Sequence, residues 1–406
     1  MTVLSAAEAK RNAVVLSVSQ AVVGAATPIT ISLGGLAGYY LLAADKSLAT
    51  APVTGFNIGV ALGALPAAAI MRWIGRRNGF MSGTVVTAIG GVVATLALFE
   101  SNFWLFAIGL LIVGAGNSFV QQYRFAAADN APAKFKANAI AWVLAGGVFA
   151  AIIGPQTAIW TRDLFAPVMF AGAFAAIVVL ALLGLFVLSF LKDPHAAALT
   201  TAPAAPPLPP RELRQILSQP RFIAGMSCGV GSYALMSFVM TGAPLAMVGC
   251  GFTPDEAALG ISWHVLAMFA PSFVTGRLIG RFGKETIVTT GMLLLIGSAI
   301  VALSGIQLWQ FWTSLVLLGV GWNFAFIGST AMVAETYRPS ETSKVQGFHD
   351  FILFSTVAFG SFMSGVVYNV WGWETLNWIV FPVTVFCLVA LAYLVMIARR
   401  TPLATP

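Results

Sequence analysis

The sequence Arg72-Trp73-Ile74-Gly75-Arg76-Arg77 returns in similar form 205 residues later as Arg277-Leu278-Ile279-Gly280-Arg281-Phe282. Each stretch follows a long apolar segment, the second of the chain in one case and the eighth in the other. Gly114 and Gly116 likewise recur as Gly319 and Gly321. A repeat at an offset of about half the chain length predicts two structurally similar halves.

Apolar segments long enough to cross a bilayer account for most of the chain. Hydrophobic residues make up 59% of the 406 residues and charged residues only 9%, which excludes an ordinary soluble protein. The segments reach the length of about 20 residues that a transmembrane helix needs, without the alternation of membrane β-strands. The first is too long and too charged at its start for a cleaved signal peptide. We predict an all-α membrane protein with twelve transmembrane helices, over residues 12–42, 50–71, 79–99, 102–128, 138–161, 165–191, 221–249, 255–276, 285–306, 309–334, 345–370 and 374–397.

Lys and Arg are distributed very unevenly between the two ends of these segments. A cytoplasmic amino terminus places 19 of the 21 basic residues on the cytoplasmic side and leaves Lys46 and Arg162 outside. Short cytoplasmic loops of membrane proteins collect basic residues, so both termini are predicted to be cytoplasmic. The net charge of +7 then reflects topology and attraction to anionic membrane lipids, and we predict no nucleic-acid partner.

A stretch rich in Ala, Pro and Thr lies between the sixth and seventh segments. It predicts a linker, so we divide the chain into an N-terminal six-helix bundle over residues 1–191, a cytoplasmic linker over 192–219 and a C-terminal six-helix bundle over 220–406. This arrangement, with a basic glycine-containing turn after spans 2 and 8, resembles the major facilitator superfamily over essentially the full length. The resemblance implies two bundles that rock around a central site.

Two residue pairs at helical spacing indicate a candidate metal site. Met236 and Met240 lie four residues apart on the seventh span, and His264 and Met268 lie four apart on the eighth. Each pair shares a helix face, and a rise of about 1.5 Å per residue gives the pairs overlapping depths in the bilayer. Three thioethers and an imidazole form a soft, neutral ligand set that suits Cu(I). We interpret copper as a transported substrate, with no resident cofactor.

These residues also have ordinary structural explanations. Met is a common apolar residue, and the chain contains 13. A His within a membrane span is costly without a partner, so His264 is either a functional residue or a hydrogen-bonded structural one. No other Met pair in the sequence has a spacing of four, which favours the metal interpretation.

The same pairs resemble those of the CcoA-type copper importers, bacterial major facilitator proteins with MxxxM on helix 7 and HxxxM on helix 8. The resemblance implies copper import across the bacterial inner membrane for the assembly of cbb3-type cytochrome c oxidase. Cys228 and Cys250 match cysteines that these importers carry near the ends of helix 7, which suggests a metal relay. Free Cys is also a common small buried residue. A separation of about 33 Å along one helix excludes a disulfide between the two.

Other polar residues within the spans are candidates for lining a cavity. Arg124 has the alternative of pairing with Asp129 near the membrane surface, and amide side chains can simply bridge helices. The candidates are Gln121, Gln122, Arg124, Asn323 and Asp350.

Two further functions remain open. Riboflavin importers are similar in overall sequence, and 11 Trp with 30 Phe favour a flat organic solute, although most such aromatic side chains should face lipid or the membrane interface. A non-transporting assembly factor with the same fold is the second alternative. The sequence contains no phosphate-binding glycine loop, activated nucleophile or zinc-type Cys and His cluster, so we do not predict an enzyme.

Overall fold

The computed structural model describes residues 6–43, 45–129, 136–192, 211–338 and 341–400. Sixteen α-helices account for most of these residues. The helices are α1 Ala6–Val23, α2 Ala26–Leu41, α3 Ala51–Ile74, α4 Arg76–Phe99, α5 Phe103–Val120, α6 Tyr123–Asp129, α7 Lys136–Thr161, α8 Ala171–Leu188, α9 Leu213–Leu217, α10 Pro220–Gly249, α11 Pro254–Phe269, α12 Ser272–Phe282, α13 Lys284–Leu303, α14 Leu308–Ala334, α15 Thr342–Trp378 and α16 Val380–Arg400.

The predicted all-α membrane fold is confirmed. Within the described ranges, ten helical segments are long and apolar enough to cross a membrane, or eleven if the bent pair α11 and α12 forms one span. One of them, Phe348–Ile397, is 50 residues long and contains Gly372 with φ 79° and ψ −177°. Dividing this segment at Gly372 gives two spans and brings the total to twelve.

The helices form two bundles, and the chain between them lies mostly outside the described residues. Of the predicted linker over residues 192–219, residues 193–210 lie outside the described residues. Consecutive spans are joined by short connections and therefore run antiparallel. Lys192 and Arg211 consequently lie at the same end of the bundles, which we name the linker side. We name the opposite end the far side.

The repeated glycines permit close helix packing in each half. A methyl group at Gly114 would overlap the carbonyl oxygen of Phe56 on α3, and one at Gly319 would overlap the carbonyl oxygen of His264 on α11. Each glycine therefore lets the fourth span of its bundle approach the second span. The need for this close contact in both halves explains why glycine recurs at these two positions.

The repeated turn is displaced from the position that the sequence suggests. Gly75 has φ 83° between α3 and α4, and its structural counterpart between α12 and α13 is Gly283, with φ 85°. Gly280, which matches Gly75 at the 205-residue offset, lies inside α12. The eighth span is also broken near Pro271, where α11 and α12 meet at 41°. Proline has no N–H to donate, so it interrupts the helical hydrogen bonds there.

The two bundles contact each other on the far side. Arg162, after α7, forms a salt bridge with Asp255 of α11, with 2.6 Å between Nη1 and Oδ1. The backbone N–H of Gly365 on α15 donates to Oγ1 of Thr50, which precedes α3, at 3.1 Å. These contacts join the bundles at the far side of the central cavity.

Candidate functional site

A cavity lies between the two bundles, and both bundles line it. The N-terminal half contributes Gln20, Gly24, Thr27, Pro28, Ile31, Phe56, Asn57, Val60, Asn117, Gln121, Gly147 and Ala150. The C-terminal half contributes Tyr233, Met236, Ser237, Met240, Val265, Met268, Phe269, Phe354 and Val357. None of these lining residues, all within the described part of the chain, carries a charged side chain. The cavity therefore suits a neutral solute.

Amide side chains come from the N-terminal bundle. Helix α5 carries Asn117, and Gln121 follows four residues later at its linker-side end, so the two amides lie on one face. Asn117 is almost fully buried and accepts a hydrogen bond from the hydroxyl of Thr27 at 3.3 Å. Gln121 is exposed, which indicates that the cavity extends towards the linker side. Gln20 of α1 and Asn57 of α3 complete this set, which we name the amide wall.

Aromatic and thioether side chains come from the C-terminal bundle. The ring of Tyr233 packs edge-on against Trp322 and Phe326, with centroids 5.2 and 5.1 Å away, and lies 6.2 Å from Phe354. Trp322 and Phe326 stack at 5.1 Å with an interplanar angle of 12°. These contacts fix the position of Tyr233. Tyr233 and Phe354, with the three methionines, form what we name the aromatic wall, whose methionines are Met236, Met240 and Met268.

His264 was predicted to share a site with three methionines, and it is bonded to a neighbouring helix of its own bundle. Its side chain is fully buried, and Nδ1 lies 2.7 Å from the carbonyl oxygen of Leu315 on α14. A carbonyl only accepts, so this contact requires the proton on Nδ1. His264 thus joins two helices of one bundle, and it is absent from the residues that line the cavity.

Cys228 lies in α10, and Cys250 follows the last residue of that helix. The thiol of Cys228 is buried and donates to the carbonyl oxygen of Cys387 on α16 at 3.5 Å. Cys387 in turn donates to the carbonyl oxygen of Ser227 at 3.3 Å. Cys250 is exposed at the far side. Cys228 therefore packs within the C-terminal bundle and does not line the cavity.

Of the other polar candidates, Gln121 lines the cavity, whereas Gln122, Arg124, Asn323 and Asp350 are not among its lining residues. Asn323 is fully buried and bonded to the break in the eighth span.

The remaining charged candidates, Arg124 and Asp350, lie within electrostatic range of each other. Arg124 is also within electrostatic range of Tyr233. Asp350 also lies 3.0 Å from Nδ1 of its neighbour His349. The side chain of Asp129, the alternative partner of Arg124, is outside those described.

Most of the residues that line the cavity were not predicted from the sequence. Gln20, Asn57 and Asn117 were not singled out, nor were Tyr233 and Phe354. The spacing of Asn117 and Gln121 was a usable signal, because two amides one turn apart share a face within an apolar span. The two aromatic residues gave no such signal among 30 Phe and 7 Tyr.

Comparison with known proteins identifies the family. The sequence model of the Major Facilitator Superfamily matches residues 12–253 and 226–406. The chain belongs to this superfamily of transporters.

One relative is similar to this chain in sequence, and two solved structures are similar to it in fold. The riboflavin transporter RfnT of Brucella anthropi is 52% identical over 392 residues, which cover 95% of this chain and 96% of RfnT. The solved structure of the POT family transporter PepTSo covers 98% of both chains with a TM-score of 0.70 and 12% identity. The xylose transporter XylE of E. coli covers 94% of this chain and 95% of its own, with a TM-score of 0.64 and 12% identity. The two structures are evidence for the fold alone.

The prediction of copper import is wrong. The relative that matches 95% of this chain at 52% identity is a riboflavin transporter, and the CcoA-type assignment has no support from the comparisons. Two short motifs were insufficient because ordinary residues satisfy them: an apolar methionine pair lines a neutral cavity, and His264 bonds to Leu315. The relay role of Cys228 and Cys250, and the link to cytochrome oxidase assembly, were implied only by that resemblance.

Proposed function

We propose that this chain is an importer of riboflavin, or of a closely similar neutral flavin, and that it has no enzymatic activity. The observation that carries the proposal is the 52% identity with RfnT along nearly the whole of both chains. Riboflavin has a flat ring system and a hydroxylated side chain without charge. A cavity with uncharged amide, aromatic and thioether side chains is chemically suited to such a solute.

Transport would follow from movement of the two bundles around this cavity. The far-side contacts, including Arg162 with Asp255, join the bundles at one end, while the exposed Gln121 indicates an opening at the other. Exchange of these contacts for contacts on the linker side would expose the cavity to the far side. We propose the cytoplasmic membrane of a bacterium as the location, with the linker side in the cytoplasm, since the predicted topology assigns 19 of the 21 basic residues to that side.

Uptake into proteoliposomes that contain only this protein tests the proposal. We expect the vesicles to accumulate radiolabelled riboflavin, with unlabelled riboflavin as a competitor. The phosphorylated flavin FMN should compete at least about tenfold less well, because its phosphate carries a charge of about −1.5 to −2 and the lining residues offer no cation. Protein-free vesicles are the control. Absence of riboflavin uptake by correctly inserted protein would refute the proposed function.

A further inference from the structure

The amide and thioether side chains that line the cavity are divided between the two bundles, although Phe56 of the N-terminal bundle and Ser237 of the C-terminal bundle also line it. The amide wall, formed by Gln20, Asn57, Asn117 and Gln121, belongs entirely to the N-terminal bundle. The aromatic wall, including Tyr233 and Phe354, belongs entirely to the C-terminal bundle. A transporter whose bundles move relative to each other would therefore hold two parts of one solute in two different ways.

The aromatic wall has the features of a binding surface for a flat ring. Tyr233 is supported by Trp322 and Phe326, so its position is fixed before a solute arrives. Polarizable thioethers also make favourable contacts with aromatic rings, and Met236, Met240 and Met268 lie on this wall. Stacking and thioether contacts require no polar atoms on the ring.

The amide wall has the features of a binding surface for hydroxyl groups. Each primary amide both donates and accepts, as a hydroxyl does. The amides come from three helices, α1, α3 and α5, and are therefore spread over the N-terminal side of the cavity. The polar edge of a flavin ring presents a short row of two carbonyls and one N–H, which one or two amides satisfy. A flexible polyhydroxyl chain matches a dispersed set better.

We propose, on the basis of the proposed function, that the N-terminal bundle binds the ribityl chain of a flavin and the C-terminal bundle binds its ring system. Each bundle alone then recognises only half of the solute. Substrate selection would require both walls at once, and a flavin ring without its ribityl chain would engage mainly the C-terminal bundle.

Binding of two ligands to purified full-length variants tests this division. The ligands are riboflavin and lumichrome, a related tricyclic ring that lacks the ribityl chain. We expect Tyr233→Leu to weaken the binding of both by about tenfold, through lost stacking. Asn117→Leu and Gln121→Leu should each weaken the binding of riboflavin by about fivefold and the binding of lumichrome by less than about twofold. The reason is that only riboflavin loses a hydrogen bond. Gln121 is exposed, so its replacement provides a variant without a buried hydrogen bond to disturb.

Two exposed residues away from the cavity provide matched controls. Asn78→Leu on α4 and Tyr393→Leu on α16 repeat the same chemical changes and should leave both affinities unchanged. Equal losses for both ligands in the amide-wall variants would overturn the division, as would unchanged lumichrome binding in Tyr233→Leu. Failure of the unmodified protein to bind riboflavin would instead refute the proposed function itself.

Discussion

Glu341 attaches the end of the linker to the C-terminal bundle. Its carboxylate accepts from the backbone N–H of Arg211 at 2.7 Å and from the guanidinium Nη2 of Arg211 at 2.8 Å. The backbone N–H of Arg338 donates to it at 2.8 Å as well. The bonds from the Arg211 side chain, followed by those from the two backbone groups, lower the pKa of Glu341 from 4.5 to about 2, although desolvation opposes the shift.

This pKa predicts a stability change at low pH. A carboxylate with a lowered pKa in the folded state stabilises the fold above its unfolded pKa of 4.5, and the contribution disappears as pH falls from 4.5 to about 2. We expect Glu341→Gln to lower the unfolding temperature of detergent-solubilised protein at pH 7. It should also flatten the loss of stability between about pH 5 and pH 2, the range that spans the two pKa values. Glu212→Gln is the control. It changes the residue next to Arg211 in the sequence and should retain the full pH dependence.

Single residues of the candidate site show what a sequence pattern can predict. Met236, Met240 and Met268 were predicted to point into one space, and all three line the cavity. His264 was predicted to join them; its Nδ1 bonds to Leu315 of α14, and the residue is not among those that line the cavity. Residues four apart differ by about 40° around a helix, so one can border a cavity while the other is buried beside it. The rotation of α11 decides between these outcomes, and rotation depends on packing partners that the helix sequence does not specify.

Among the helices, the eighth span differs most from its predicted form, because the sequence suggested one continuous helix over 255–276. Asn323 of α14 stabilises the break. Its Nδ2 donates to the carbonyl oxygen of Met268 at 2.6 Å and to the hydroxyl of Ser272 at 2.7 Å. Its Oδ1 accepts from the hydroxyl of Thr275 at 2.6 Å. The proline made a break near Pro271 foreseeable. The role of Asn323, which lies 52 residues later in the sequence, was not.

We expect replacement of Asn323 to weaken this region of the protein. Hydrogen bonds between membrane helices contribute about 0.6 kcal/mol on average, so Asn323→Leu, which removes three, should destabilise the protein by about 2 kcal/mol. Thr275→Val removes one of the three together with the contact of its hydroxyl to the carbonyl oxygen of Pro271 at 2.8 Å, and should cost about a third to two thirds as much. Unfolding of both variants by denaturant in mixed micelles measures the difference. Equal stability of Asn323→Leu and the unmodified protein would show that the bonds do not hold the break.

At the scale of the whole molecule, composition was sufficient to predict the all-α membrane fold. Apolar length predicts twelve spans, a number that the structure reaches when Phe348–Ile397 is divided at Gly372, and the repeated Gly114 and Gly319 mark equivalent contacts in the two bundles. The division of the cavity into an amide wall and an aromatic wall was beyond sequence analysis. Its members, such as Asn57 and Phe354, are about 300 residues apart and meet only when the bundles assemble. The substrate followed from a relative and not from a motif, because short motifs coincide with ordinary packing residues.

The far-side salt bridge predicts how the balance between conformations can be shifted. Arg162 is largely buried, and its guanidinium bonds to Asp255 of the other bundle and to Asp163 of its own. Asp255→Asn removes a charge between the bundles and should favour opening of the far side. Partly exposed salt bridges contribute up to about 1 kcal/mol, so the ratio of open to closed molecules should rise by up to about fivefold.

Spin labels on the two bundles make this shift measurable. Glu100 and Ile306 are exposed on the far side of the N-terminal and C-terminal halves, so Cys can replace each in a Cys250→Ser background. Distance distributions from pulsed electron resonance should gain a longer component in Asp255→Asn. Asp163→Asn removes the same charge from the partner of Arg162 within one bundle, and its distribution should match that of the unmodified protein. If both variants retain the distribution of the unmodified protein, the bridge between Arg162 and Asp255 does not hold the far side closed. The remaining contacts, such as Gly365 with Thr50, are then sufficient to do so.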